Sequence, residues 1–116
     1  MNGSESAFFF ELQKQLPQEY YIFPKMRIID FISPINREYG LRNRIWAKHI
    51  DFLICSKNFQ PVVAIEVNGK SHLRQDRIER DDLVRQIFQD AKLPLEFVDV
   101  GTSFIDSVKQ LQHHFS

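Results

Sequence analysis

The sequence predicts an α/β domain. Three observations carry that expectation: two apolar, β-branched runs at 48–56 and 61–68 separated by only four residues; helical spacing of apolar residues on both sides of them; and proline or hydroxyl residues where each period stops. The elements read helix, strand, strand, strand, helix, strand, helix. A chain of 116 residues has the length of one domain and can bury about two thirds of its unfolded surface. With no repeat, low-complexity tract or linker composition to divide it, residues 1–116 are expected to form a single domain.

Ser4 is placed to cap a first helix that runs to about Leu16 and stops at Pro17. Its apolar stripe is Phe8, Phe9, Leu12 and Leu16. At about 100° per residue, Glu5 falls on that stripe one turn before Phe9, whereas Glu11 points off it. Residues 20–32 are aromatic and β-branched enough for a strand, and Pro24 marks an edge or a bulge in it. Residues 33–46 read as a loop or short helix. They hold Arg37, Arg42 and Arg44, followed by Lys48, which makes this the one locally basic segment.

The two clear strands are joined by Lys57-Asn58-Phe59-Gln60, a connection short enough for an antiparallel hairpin. From Arg74 to Lys92 the residues Ile78, Leu83, Val84, Ile87, Phe88 and Ala91 have helical spacing, and Pro94 ends it. Residues 95–100 form a further strand. Thr102 or Ser103 then caps a last helix with the stripe Phe104, Ile105, Val108 and Leu111.

Lys plus Arg and Asp plus Glu number 15 each, so no global positive field announces a nucleic-acid ligand, and any such binding must rest on a local patch. Cys55 is the single cysteine and can make neither an intrachain disulfide nor, alone, a cysteine zinc site. No apolar stretch of about 18 residues and no signal-peptide pattern is visible. The expectation is a reducing, cytoplasmic setting with no membrane. No serine sits in a nucleophile-elbow context, and Cys55 on an apolar strand reads as core.

A regular hairpin closed by that four-residue loop pairs Ser56 with Pro61 and sets Asp51 opposite Glu66. Directly opposed residues share a face of the sheet with Cβ atoms about 4.5–5.5 Å apart, and two carboxylates among Ile50, Phe52, Ile65 and Val67 repel in low dielectric. A divalent cation is one compensation, since hard oxygen ligands at that separation suit Mg²⁺ or Mn²⁺. The other reading is that Glu66 marks a strand end reaching solvent and Asp51 pairs with a neighbouring Arg or Lys.

The core-side Glu5, the stretches "KHIDFLIC", "AIEVNGKSH", "RIERDD" and "AKLPL", and their order resemble the PD-(D/E)xK nuclease superfamily. Within it they are similar to a family of small bacterial domains related to very-short-patch-repair-like endonucleases. The resemblance covers nearly the whole chain, from "SESAFFFEL" to "AKLPL". It implies a restriction-endonuclease-like α-β-β-β-α-β core with a central mixed four-stranded sheet flanked by helices, plus a C-terminal helix. It also implies that Glu5, Asp51 and Glu66 are catalytic carboxylates holding Mg²⁺ or Mn²⁺.

The superfamily lysine, two residues after the hairpin glutamate, does not carry over, because Asn68 stands there. Lys70 is the preferred substitute and Lys48, across the hairpin, the second; a solvated loop lysine is the alternative reading of Lys70. His72 is a general base or metal-side donor, or else a residue bonded to backbone at the start of the helix. Arg77 and Arg80 match the family's helix motif and suit phosphate contact, although Arg77, Asp81 and Arg85 are also spaced for intrahelical ion pairs. Where the family places an arginine after "LPL", this chain has Glu96 and Phe97.

The function implied is a metal-dependent nuclease acting on nucleic acid, DNA first, with Arg42, Arg44, Lys48, Arg77 and Arg80 on the phosphate backbone. Two alternatives stand beside it. One is a nucleic-acid-binding module that has lost catalysis with the lysine; the other is a protein-interaction domain whose aromatics Phe8, Phe9, Phe10, Tyr20 and Tyr21 form an exposed docking patch.

Overall fold

A computed structural model describes residues 1–32, 48–68 and 75–115, without the side chains of residues 68, 75–81 and 83. Helix α1 spans Gly3–Gln15 and is capped by Asn2 rather than Ser4. The Asn2 Oδ1 accepts a hydrogen bond from the Glu5 N–H at 2.8 Å, and the Asn2 Nδ2 donates to the Glu5 carboxylate at 3.2 Å. Asn and Ser cap about equally well, but only Asn2 has a carboxylate three residues on, where a capping box places one. The Leu16 N–H donates to Leu12 O at 2.9 Å, and Pro17 follows.

Strand β1 is Tyr21–Arg27, and the predicted strand over 20–32 gives way to a 3₁₀ turn at Ile28–Asp30. Arg27 and Asp30 form an exposed ion pair across that turn at 3.1 Å. Strands β2 (His49–Cys55) and β3 (Pro61–Asn68) form the expected hairpin, and Phe52–Ile65, Leu53–Ala64 and Ile54–Val63 keep the expected register. The rung nearest the loop is Cys55–Pro61 instead of Ser56–Pro61, because a bulge lies between Ile54 and Cys55. Phe59 takes a left-handed φ of 63° to close the loop.

Helix α2 (Gln75–Asp90) carries the chain back so that β4 (Leu95–Asp99) runs parallel to β3, as a parallel neighbour requires. It ends in a Schellman turn: Leu93 N–H donates to Phe88 O and Lys92 N–H to Gln89 O, with Lys92 at φ 57° where glycine is usual. Helix α3 (Phe104–Leu111) is capped by the Ser103 hydroxyl, and a 3₁₀ turn at Gln112–Phe115 follows it.

The sheet order is β1-β2-β3-β4, antiparallel except for β3 with β4. The fold is therefore α/β, with a central mixed four-stranded sheet flanked by helices and a C-terminal helix. On one face Phe52, Ile54, Val63, Ile65 and Val67 pack against α1 and α3 through Phe8, Leu12, Val108 and Leu111. On the other, Leu53, Cys55 and Ala64 pack against Val84, Ile87 and Phe88 of α2. Among the described residues no helix is long and apolar enough to cross a membrane.

The N-terminal aromatics do not form one exposed patch. Phe8 is fully buried, Phe9 stacks on Phe52 at 5.7 Å, and Tyr20 packs on Phe115. Phe10 and Tyr21 alone of the five are exposed. These rings are core material for the first face of the sheet, which is why the chain has so many of them. Ile105 likewise leaves the α3 stripe and is half exposed.

Phe52 lies under the rings of both Phe8 and Phe9, so Phe52→Ala is expected to cost about 3–5 kcal/mol. Ile105→Ala should stay within about 0.5 kcal/mol of wild type. Urea denaturation of the two variants checks the assignment of core and surface.

Candidate functional site

Both ladders of β2 open at one residue. In β1–β2 the pairs Pro24–Phe52 and Met26–Ile50 flank Lys25 and Asp51, which make no ladder pair. Lys25 has a φ of 55°, a left-handed conformation uncommon outside glycine that costs on the order of 1–3 kcal/mol. Pro24, with its fixed φ and missing N–H, starts the kink. Alternation changes with it: Ile22, Phe52 and Ile54 pack on the α1/α3 face, whereas Met26 and Ile50 pack on the α2 face.

In β2–β3 the ladder pairs end at Phe52–Ile65. The next rung in that register would join Asp51 to Glu66. There the Asp51 Oδ2 accepts a hydrogen bond from the Val67 N–H at 2.7 Å, so a side chain replaces a backbone rung. The Asp51 carboxylate is thereby held against the end of β3, at the side of the sheet where β3 and β4 finish. Open α/β sheets bind ligands at the carboxyl ends of their parallel strands.

The kink points Lys25 into this opening. Its Nζ lies 2.9 Å from Glu5 Oε1 and 3.6 Å from Asp51 Oδ1. The α1 cap fixes the Glu5 side of the contact, since Asn2 holds the other carboxylate oxygen, Oε2. Glu5 Oε1 is shielded from solvent and receives no well-directed hydrogen bond among the described residues, so its contact with the ammonium is an ion pair. Glu66 is 5% exposed. It alternates with Ile65 and Val67 and so belongs to the α2 face, with Phe97 as its ladder partner on β4.

Burial pushes the Asp51 carboxyl above its ordinary value, and the neighbouring Glu5 adds to this. The Val67 N–H and the Lys25 ammonium pull the other way without overcoming burial. Lys25 is itself raised, chiefly by its contact with Glu5, while partial burial opposes the rise. The two shifts differ in cause because Asp51 is largely enclosed and Lys25 is 48% exposed. Solvent weakens the pair, so the lysine cannot fully restore the anion.

The structure thus divides the two sequence-based readings of Asp51 and Glu66. Asp51 does pair with a lysine, but Glu66 is buried and does not mark a strand end reaching solvent. The donor set also fits a hard divalent ion. Glu5 Oε1 and Asp51 Oδ1 already face a cation, Oε1 lacks a directed donor, and Mg²⁺ or Mn²⁺ takes one or two carboxylates with water. Sequence reasoning missed Lys25. The available signal was Pro24 in a strand, which marks an irregular position next to it.

Other expected site residues are less fully placed. Lys70, His72, Arg42 and Arg44 lie outside the described residues, as do the side chains of Arg77 and Arg80 on α2. Lys48 precedes β2, and its carbonyl accepts the Ile28 N–H at 3.0 Å. The Arg85 guanidinium lies over the Phe97 ring at 4.3 Å from its centroid, on the α2 face beside the Glu66 rung.

A family described as "Protein of unknown function (DUF2726)" matches residues 1–115. The chain belongs to that family. An uncharacterized protein of Haemophilus influenzae is 34% identical over 89 residues, 74% of this chain and 46% of the relative. This DUF2726 chain therefore spans about half the length of that relative. No solved structure matches.

The raised Asp51 value has a definite sign in stability. Between the ordinary value of 3.8 and the folded value, the native state binds more protons than the unfolded chain, so this group's contribution falls as pH rises through the window. Asp51→Asn removes the titration and keeps an acceptor for the Val67 N–H. The stability of wild type minus that of Asp51→Asn is expected to decline as pH rises above 3.8 and then to level off. Urea melts across the acid range measure it, and a difference that grows with pH would mean that Lys25 outweighs burial.

Proposed function

We propose that this domain is a metal-dependent nuclease of the PD-(D/E)xK type, hydrolysing phosphodiester bonds of nucleic acid, DNA in the first place. One observation carries the reading: Glu5 and Asp51 converge on a single ammonium at an opened rung of the sheet, the rung whose β3 residue in register is the buried Glu66. Glu5, Asp51 and Glu66 would hold Mg²⁺ or Mn²⁺. Such an ion, when bound, polarises a phosphoryl oxygen and acidifies a water.

The chain's own groups do the rest. The Val67 N–H holds Asp51 Oδ2 and leaves Oδ1 directed at the cation position. Asn2 does the same for Glu5, leaving Oε1 toward it. Lys25 supplies the positive charge that Asn68 cannot. It reaches the carboxylates from β1, and its half-exposed side chain can move onto a phosphate oxygen and stabilise the charge that develops there. On this reading Lys25 takes the role that the sequence assigned first to Lys70 and then to Lys48. Arg42, Arg44, Lys48, Arg77 and Arg80 remain the residues proposed for the phosphate backbone, and binding through them weakens with salt.

Lys25 also favours a second reading, a silent nucleic-acid-binding module in which the ammonium permanently neutralises the carboxylates. Cleavage of single-stranded, duplex and branched DNA and RNA with Mg²⁺ or Mn²⁺ separates the two. Asp51→Asn and Glu66→Gln should each lower the rate by roughly three orders of magnitude, the equivalent of several kcal/mol of lost charge stabilisation. Equal activity in all three proteins would remove the metal assignment. DNA binding without cleavage, unchanged by Glu66→Gln, would establish the silent module.

Lys25→Met gives a sharper test. In the nuclease reading it tightens Mn²⁺ binding, because a competing cation is gone, and at the same time slows cleavage. In calorimetry and kinetics the two effects are read independently, and loss of both metal binding and cleavage would mean that Lys25 only holds the fold.

A further inference from the structure

On the α1/α3 face of the sheet, beside β4, three side chains of metal-binding type meet. Glu96 lies on β4, and His113 and His114 lie in the 3₁₀ turn after α3. One ligand atom from each falls within 4.8 Å of the others. The His114 Nε2 is 2.8 Å from Glu96 Oε2, and the two imidazole rings are 4.0 Å apart between centroids. We propose that Glu96, His113 and His114 form a second metal site, for Zn²⁺ or another borderline divalent ion.

The donor chemistry selects the ion. Two imidazoles and one carboxylate suit zinc, nickel or copper, whereas the all-oxygen set of Glu5, Asp51 and Glu66 suits magnesium or manganese. Zinc bonds to nitrogen and oxygen are about 2.0–2.2 Å long, so ligand atoms in a tetrahedron stand roughly 3.4 Å apart. The three ligand atoms lie within 4.8 Å of one another, with the His114–Glu96 pair at 2.8 Å, so side-chain rotations that widen that pair and draw His113 in reach the spacing.

The tautomer of His113 is prepared for this role. Its Nδ1 lies 2.9 Å from the Gln110 carbonyl oxygen, which can only accept. The proton therefore sits on Nδ1, and Nε2 carries the lone pair. Metal-binding histidines are commonly oriented by such a bond from the second ring nitrogen to a backbone carbonyl.

The surroundings draw cations in. A cleft of about 550 Å³ beside the site is lined by Glu96, Asp99, Asp106 and His113, with no lysine or arginine in its described lining. A cleft lined by one sign of charge raises the local concentration of the opposite ion. Three protein ligands leave a fourth position for water or a small anion, the pattern of zinc sites that exchange a ligand.

The test uses the full chain without a histidine tag, titrated with Co²⁺ and then Zn²⁺. The expected result is one equivalent of Co²⁺ giving the intense visible bands of a four-coordinate ion, displaced by Zn²⁺, with Zn²⁺ also raising the wild-type melting temperature. Glu96→Gln, His113→Gln and His114→Gln should each weaken binding at least about ten-fold, while Asp51→Asn leaves it unchanged. Because His113 is exposed, His113→Gln tests the site even if His114→Gln disturbs packing. Failure of wild type to take up either ion, or affinity unaltered in His113→Gln, overturns the proposal, and neither result bears on nuclease activity.

Discussion

A carboxylate enters an apolar interior only with something to offset its lost hydration. At one end of this sheet Glu5 and Glu66 are each more than nine-tenths buried, and Asp51 is nearly so. Several irregularities of the fold follow from that constraint. Asn2 caps α1 in a way that also holds Glu5. Lys25 adopts a left-handed backbone and reaches two of the anions. The ladder between β2 and β3 stops one rung early so that Asp51 can take the Val67 N–H. A regular sheet would avoid all three costs; this one concentrates them where the charges meet.

Features set by short-range pattern were legible in the sequence. Glu5 lies on a helical stripe with Phe8 and Leu12, and a four-residue loop fixes the hairpin register to within one bulge. Features set by competition between near-equal local choices were less so. Ser4 and Asn2 are both good caps, and the choice turns on what lies three residues downstream. The N-terminal aromatics could be surface or core, and the demand of the sheet face, filled by Phe52 and its neighbours, decides for core.

Lys25 was out of reach for a different reason. Its contact with Asp51 depends on the pairing of β1 with β2, and residues 28–48 separate those strands, a connection too long for its length to fix their register. The facing carboxylates called for a compensating cation, a metal ion or a neighbouring Arg or Lys, and nothing in the short-range pattern singled out a basic residue arriving from a third strand. Asn68 draws attention to the end of β3, while the ammonium that meets Asp51 comes from β1, at the opposite edge of the sheet. In the contacts described, Glu5 and Asp51 share one ammonium, which leaves one negative charge over when both are ionised. On the proposed metal reading, that residual charge, together with a cation on a half-exposed stem, is what would let a divalent ion take the lysine's place.

Glu66 and Glu96 are separated by the alternation of a strand. Ile65 pairs with Glu96 and Glu66 pairs with Phe97 on adjacent rungs of β3 and β4. Successive residues point to opposite faces, so Glu96 meets the histidines on the α1/α3 face while Glu66 turns to α2. Glu66 and Glu96 therefore stand one residue apart in register on opposite faces of the sheet, so neither can reach the partners of the other. The parallel β3–β4 pairing is the common support. An ion that drew Glu96 toward His113 and His114 would brace the free edge of β4, and through the Phe97–Glu66 rung that edge bears directly on the strand carrying the buried carboxylate.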